Sequence, residues 1–143
     1  MKDFAPRALL CRPTIAIEVT YGGSDGPDLD EVAARSGLTP AEVVEAHAGA
    51  TYVVQLLGFA PGFAYLGGLP EALHLPRRAE PRERIPAGSV AIAGPRSAVY
   101  PGGTAGGWHL IGRTAERMWD IQRQPPNRLA VGDRVRFLPH RGT

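Results

Sequence analysis

Residues 52–69 read YVVQLLGFAPGFAYLGGL, an apolar run followed by a loop rich in glycine and aromatic residues. The run Tyr52–Leu57 is almost continuously apolar, which is typical of a strand buried on both faces or packed beneath helices. In the loop, glycine permits unusual backbone angles and Pro61 blocks helix continuation. The stretch therefore predicts a buried strand that leads into a turn-rich β-fold.

Further short strands are predicted on both sides of this stretch. Residues 14–19 alternate between apolar and other residues, which is the period of a half-buried strand. The 18 Gly and 14 Pro residues are too many for a helical bundle. Few helices, several short strands and long connections favour a mainly β fold, a closed or nearly closed β-barrel with two short helices, over an α/β sheet. A barrel of the eight-stranded type is expected. Later strands are predicted at residues 89–93, around 99–100, at 108–113 and at 134–138.

Two helices are predicted one after the other upstream of residue 52. Asp28 is expected to cap the first helix, with Glu31 reaching back, and Gly37 to end it. Thr39 and Glu42 form the capping-box pattern that begins the second helix.

The composition excludes several classes of function. Sixteen Lys and Arg against 14 Asp and Glu leave too small an excess to indicate nucleic acid or an anionic membrane as a partner. Cys11 is the only cysteine, so no intrachain disulfide can form and no metal site is expected. No segment approaches the roughly 18 apolar residues of a membrane span. A cytoplasmic setting is the expectation.

Several segments carry a family resemblance. The string LGFAPGFAYLGGL at residues 57–69 is followed by IPAGSVAIAG at 85–94 and by GGWHLIGRT at 106–114. In this order the chain resembles the B subunit of 5-oxoprolinase, whose family is also called allophanate hydrolase subunit 1 or the Kip-inhibitor family. The resemblance covers roughly residues 14–140.

The resemblance implies a domain organisation and a function. Residues 1–13 are expected to be a tail or linker remnant and residues 14–143 a cyclophilin-like domain, with the N-terminal domain of the family absent. The implied function is that of a component of ATP-dependent 5-oxoprolinase, which opens 5-oxoproline to glutamate. The C and A subunits of 5-oxoprolinase are the implied partners. ATP is expected to act through the complex, and this chain is expected to be inactive alone.

A second function remains open at this point. The family also includes the Kip inhibitor of a sensor histidine kinase, so the domain is alternatively an inhibitory module that binds a protein. A peptidyl-prolyl isomerase is a third alternative, which rests on fold analogy alone.

Glycine and aromatic residues supply the first part of the predicted substrate-binding set. Gly58 and Gly62 lie in a segment where bare backbone can approach a ligand, although tight barrel corners explain the same glycines. Phe63 and Tyr65 are two residues apart, so on extended backbone they point the same way and offer a flat surface to a planar lactam. Core packing is the alternative, and it is preferred for Phe59.

Arginines supply the second part of the predicted substrate-binding set. Arg77 and Arg78 are predicted to clamp the carboxylate of the substrate, because guanidinium binds carboxylate through two hydrogen bonds. Arg82 and Arg84 belong to the same cluster, but salt bridges in a solvated loop explain them better. Arg96 stands where the family commonly has glutamine, and it is predicted to contact the substrate.

No catalytic residue can be assigned from the sequence. The chain has no Walker A loop, and no nucleophile elbow surrounds Ser89. His47 lies near the end of the second predicted helix, where a cationic cap of the helix dipole and a general base are both open interpretations.

Overall fold

The computed structural model describes residues 13–58 and 60–140. Most of the predicted tail, residues 1–12, and the predicted core residue Phe59 lie outside the described residues. The described part contains two α-helices, α1 (Leu29–Ser36) and α2 (Pro40–Gly49), neither of which is long and apolar enough to cross a membrane. Its strands are β1 (Ile15–Tyr21), β2 (Tyr52–Leu57), β3 (Ala64–Gly67), β4 (Arg82–Ile85), β5 (Ser89–Ala93), β6 (Arg96–Val99), β7 (Thr104–Gly106), β8 (His109–Arg113) and β9 (Arg134–Pro139).

Seven of these strands form a closed barrel in the order β1-β8-β5-β6-β3-β2-β9. The parallel pair of β9 and β1 closes the barrel, and the other barrel pairs are antiparallel. The mainly β, closed-barrel prediction with two short helices is confirmed. The barrel has seven strands rather than eight because β4 and β7 pair with each other in a separate two-stranded sheet.

The barrel interior is filled by alternate residues of its strands. Leu66, Val90 and Phe137 point inward, as expected for a small barrel whose lumen is packed with side chains. Val32 of α1 and Val43 of α2 belong to the same buried cluster. The two helices therefore share one core with the barrel.

A second buried cluster lies outside the barrel, where the β4–β7 sheet covers the outer faces of β3, β5, β6 and β8. Small side chains on these outer faces allow the two sheets to approach closely. All five residues of β5 are buried as a result. The members of this cluster are Phe63, Ile85, Ala91, Ala93, Ala98, Tyr100, Trp108 and Leu110.

The strand predicted at residues 52–57 is confirmed, but of its two interpretations, burial on both faces was wrong. Tyr52 and Val54 point into the core, but Val53, Leu56 and Leu57 are 42%, 40% and 36% exposed. The reason is the position of the covering sheet, which lies over β5 and its neighbours and leaves the outer face of β2 open.

The helix boundaries test the capping predictions. The capping box of α2 is confirmed, because the Glu42 N–H donates to Thr39 Oγ1 at 3.1 Å and the Thr39 N–H donates to Glu42 Oε1 at 2.9 Å. Gly37 ends α1 in the left-handed region, with φ of 73°. The Asp28 side chain makes no cap hydrogen bond, so that prediction was wrong. Its carboxylate is engaged by Arg82 and by the backbone of β8.

His47 lies in the barrel core at the centre of a hydrogen-bonded chain. Tyr21 Oη lies 2.7 Å from His47 Nδ1, and His47 Nε2 lies 2.9 Å from Ser97 Oγ. Ser97 donates its proton to the Ala91 carbonyl, so Ser97 accepts from Nε2–H and Tyr21 donates to Nδ1. The imidazole also stacks on Phe137, with ring centroids 4.6 Å apart.

This environment excludes a cationic His47. Burial lowers the pKa of His47 to about 3, so the ring is neutral at physiological pH. The interpretation of His47 as a cationic helix cap was therefore wrong. A fully buried imidazole with both nitrogens hydrogen-bonded also has no access to a substrate.

We expect His47 to make the protein acid-sensitive. The unfolded chain binds a proton at this residue below about pH 6.5, whereas the folded chain does so only near pH 3, so stability is lost as pH falls through that interval. Chemical denaturation should give a free energy of unfolding about 2 kcal/mol lower at about pH 5 than at about pH 8 from this residue. His47→Gln should lose that part of the pH dependence, and His74→Gln, at an exposed histidine, should keep it. An unchanged pH profile in His47→Gln would contradict this account.

Candidate functional site

A small cavity lies between the outer face of the barrel and the β4–β7 sheet. Its volume is about 130 Å³, and it holds three of the predicted site residues, Phe63, Tyr65 and Arg77. We call it the aromatic cavity. The residues that line it are Phe63, Tyr65, Arg77, Tyr100, Ala105, Gly106, Gly107 and Trp108.

Four rings pack against one another around this cavity. Phe63 and Tyr65 have centroids 4.9 Å apart, and the edges of Tyr100 and Trp108 approach Phe63 at 5.1 and 5.9 Å. Such edge-on packing holds aromatic rings in fixed orientations. Phe63 is only 1% exposed and supports the other rings from below, whereas Tyr65 is half-buried and lines the opening. The two residues thus lie at the same cavity, on β3 and the residue before it.

Tyr100 brings a neutral hydroxyl to the cavity wall. Burial raises the pKa of Tyr100 to about 12, against the opposing effect of a hydrogen bond with the Trp108 backbone. The hydroxyl therefore stays protonated and can donate to a ligand. A Cβ on Gly106 would lie 2.3 Å from the Tyr100 oxygen, so glycine is required there for β7 to approach the ring.

Two predicted arginines accompany Tyr65. Arg77 lines the cavity and makes no hydrogen bond or ion pair with other described residues. Arg96 lies over the Tyr65 ring, with its guanidinium carbon 5.6 Å from the ring centroid, and its Nε donates to Gln55 at 2.9 Å. Arg96 is thus adjacent to the aromatic cavity through Tyr65 without lining it.

Arg78 faces away from the cavity. Its Nη1 donates to the Glu80 carbonyl at 2.9 Å, and its Nε lies 3.9 Å from Asp28 Oδ1. The backbone N–H of Arg78 donates to the Gly107 carbonyl at 2.7 Å. Arg78 therefore helps to hold the cavity wall rather than to line it.

Asp28 has a structural role beside the site that sequence reasoning missed. Arg82 binds both of its carboxylate oxygens, at 2.8 and 3.0 Å, and the Leu110 N–H donates to Oδ2 at 2.7 Å. This clamp joins the start of α1 to β4 and β8. The salt bridge predicted for Arg82 is confirmed, but Arg82 lies in β4 against a buried carboxylate rather than in a solvated loop. The sequence pattern around Asp28 predicts only a local helix cap, and it contains no information about contacts with residues as distant as Arg82 and Leu110.

The electrostatics of the clamp favour the charged pair. Burial on its own would raise the pKa of Asp28, but the Arg82 guanidinium and the Leu110 N–H stabilise the carboxylate and lower its pKa below the usual range. The pKa of Arg82 is raised by the same hydrogen bond. Both groups are therefore ionised across the physiological range.

Gly58 and Gly62 belong to a different cavity. They line a groove of about 390 Å³ together with Trp119 and Asn127, and they are absent from the lining of the aromatic cavity. Gly62 has φ of 83°, and a Cβ there would lie 2.8 Å from the Trp119 Cβ. Tight backbone packing at a barrel corner accounts for Gly62.

The described part of the chain contains no group of three or more His, Cys, Asp or Glu side chains placed to hold a metal ion. The lining of the aromatic cavity contains no carboxylate, imidazole, thiol or serine hydroxyl. This arrangement can bind and orient a ligand. It offers no conventional nucleophile or general base.

The fold defines a mainly β domain built on a closed seven-stranded barrel with two helices. The chain belongs to the carboxyltransferase domain, subdomain C and D family, whose model matches residues 5–129. It is 57% identical over 127 residues to the 5-oxoprolinase B subunit of Escherichia coli O157:H7, covering 89% of this chain and 58% of that protein. It is 50% identical over 127 residues to the 5-oxoprolinase B subunit of Bacillus subtilis (strain 168), covering 89% of this chain and 53% of that protein. The family resemblance seen in the sequence is confirmed.

Solved structures show the same fold. The conserved uncharacterized protein PH0987 from Pyrococcus horikoshii superposes with a TM-score of 0.87 at 42% identity, covering 96% of this chain and 63% of that chain. The chain thus spans little more than half the length of the curated relatives it matches.

Removing the carboxylate of the clamp should weaken the fold. Asp28→Asn leaves the Arg82 guanidinium without its anion, and we expect a loss of about 2–3 kcal/mol in the free energy of unfolding by chemical denaturation. Glu116→Gln is the matched control, since its ion pair with Arg128 at 2.8 Å is about one-third exposed and should contribute about 1 kcal/mol or less. Equal losses in the two variants would argue against a special role for Asp28.

Proposed function

We propose that this chain is the barrel part of a 5-oxoprolinase B subunit and that its aromatic cavity forms one wall of a composite site for 5-oxoproline. The C and A subunits of the enzyme supply the remainder, and the assembled complex uses ATP to open the lactam ring to glutamate. The names of the curated relatives support the assignment. The single observation that carries the site is Arg77, a guanidinium without an ion-pair partner among the described residues, beside a cage of four aromatic rings.

The dimensions of the cavity suit a small ring. A volume of about 130 Å³ equals the space of roughly four water molecules. A lactam with a volume of that order fits in the aromatic cavity, whereas a nucleotide is too large for it. The aromatic cavity is therefore proposed as a substrate site, and ATP binds elsewhere in the complex.

The chemistry of the lining matches the parts of 5-oxoproline. Tyr65 covers one face of the planar amide, Arg77 pairs with the carboxylate, and the neutral Tyr100 hydroxyl donates to the lactam carbonyl. Arg96 strengthens the positive potential beside Tyr65 and holds that ring through its cationic face contact. The chain binds and orients the substrate, and catalytic groups come from the other subunits of the complex.

A second candidate function is an inhibitory protein-binding module that acts on a sensor histidine kinase. One observation favours a protein partner of some kind: Val53, Leu56 and Leu57 expose aliphatic side chains along one strand. Calorimetry against the purified C subunit of 5-oxoprolinase and against a kinase dimerisation domain separates the two functions. Binding to the kinase domain alone would replace the enzyme assignment.

The isolated chain should be inactive. Because the aromatic cavity lacks a nucleophile and a general base, we expect no 5-oxoproline-dependent ATP hydrolysis from this chain, and turnover only when the C and A subunits are added. A coupled assay for ADP release measures both conditions. Sustained turnover by the chain alone would contradict the composite-site proposal.

Arg77 should control substrate affinity within the reconstituted complex. Loss of a charge-assisted hydrogen bond costs about 1.5–3 kcal/mol, so Arg77→Ala should raise the KM for 5-oxoproline roughly tenfold to a hundredfold. The control is Arg84→Ala, an exposed arginine of β4 outside the cavity lining, which should leave KM unchanged. Equal KM values for the two variants would place the carboxylate elsewhere.

A further inference from the structure

We propose that a larger cavity at one end of the barrel is a nucleotide-binding site. Its volume is about 480 Å³, and it is formed where β1, β6 and β8 end and β5 begins. We call it the barrel-end cavity. It is separate from the aromatic cavity, with which it shares no lining residue.

Two arginines give this cavity its positive charge. Arg113 donates from Nε to the Ala87 carbonyl at 2.9 Å, which anchors the guanidinium while its two terminal nitrogens make no hydrogen bond with described residues. Arg117 approaches Asp120 only at 4.0 Å, and its side chain is 75% exposed. Guanidinium nitrogens that are not committed to protein acceptors can donate to phosphate oxygens.

The acidic groups of the cavity offset this charge only in part. Glu116 lies 2.8 Å from Arg128, so its charge is already balanced outside the cavity lining. Asp25, on the turn Gly23–Asp25, makes no hydrogen bond or ion pair with other described residues and lines the cavity from the side of β1. A carboxylate without a protein partner can accept hydrogen bonds from the hydroxyl or N–H donors of a ligand.

The barrel-end cavity also has an aromatic side chain in its lining, that of Trp119. Trp119 is half-buried and lines the barrel-end cavity on one side and the Gly58–Gly62 groove on the other. An indole face stacks on planar heterocycles, and such stacking contributes about 1–3 kcal/mol per base.

The class of ligand follows from the combination of two arginines, a carboxylate and an indole in one cavity. A free phosphate would use the arginines, leave Trp119 without a function and place an anion near Asp25. A nucleotide uses all three features, with its base on Trp119, its ribose hydroxyls on Asp25 and its phosphates on Arg113 and Arg117. The cavity volume also lies within the usual range for ligands of that size, about 300–1,000 Å³. The inference rests on the proposed function only for the identity of the nucleotide, which is then ATP.

The two tryptophans of the chain allow the cavities to be tested separately, because Trp119 lines the barrel-end cavity and Trp108 lines the aromatic cavity. In Trp108→Phe, the fluorescence of Trp119 should change saturably when ATP or ADP is added to the full chain, with and without Mg²⁺. In Trp119→Phe, the remaining Trp108 should not respond to nucleotide. Circular dichroism checks that both variants are folded.

Further variants and probes identify the contacts. In the Trp108→Phe background, Arg113→Gln and Arg117→Gln should each weaken ATP binding about tenfold, which corresponds to about 1.4 kcal/mol. Arg84→Gln, at an exposed arginine that lines neither the barrel-end cavity nor the aromatic cavity, should have no effect. Adenosine and inorganic tripolyphosphate should each bind at least about tenfold more weakly than ATP.

The outcomes separate this inference from the proposed function. No saturable response of Trp119 to nucleotide, equal binding by the arginine variants, or tripolyphosphate binding as tightly as ATP would overturn the nucleotide site. If 5-oxoproline changes Trp108 fluorescence while nucleotide leaves Trp119 unaffected, only the nucleotide site fails. If nucleotide binds as expected and the complex never turns over 5-oxoproline, the nucleotide site stands and the proposed function fails.

Discussion

The buried carboxylate of Asp28 is the constraint on which the outer layer of this protein depends. Its partners Arg82 and Leu110 lie 54 and 82 residues further along the chain. A buried carboxylate without partners would be strongly unfavourable, so the folded state requires α1, β4 and β8 to be packed together around Asp28. The β4–β7 sheet is thereby held over the barrel, and the gap left between the two layers is the aromatic cavity.

Local patterns in the sequence predicted local structure correctly. The capping box of Thr39 and Glu42, the glycine at the end of α1 and the alternation around Ile17 are each determined by neighbours within a few residues. The failures came from contacts between distant segments. Asp28 stands at the N-cap position of α1, but both of its carboxylate oxygens bind the Arg82 guanidinium, and this bidentate ion pair takes the place of the cap hydrogen bond.

The same distinction explains which strand is buried. Residues 52–57 and β5 are similarly apolar, yet β5 is buried on both faces and β2 is not. Burial of an outer face depends on whether another layer covers it, and the small side chains of Ala91 and Ala93 permit that cover. Apolar character alone therefore could not identify the central strand.

The candidate site was predictable where geometry is periodic and unpredictable where the chain turns. Phe63 and Tyr65 share a face because alternate residues of an extended segment do so. Consecutive residues diverge, so Arg77 lines the cavity while Arg78 turns toward Asp28. The positions of Gly58 and Gly62 relative to Tyr65 depend on the loop between β2 and β3, which no period describes. The aromatic cavity offers rings, an arginine and a phenol, and the outer face of β2, on another side of β3, exposes an apolar surface. An apolar strand face without a covering layer is a surface suited to packing against another protein.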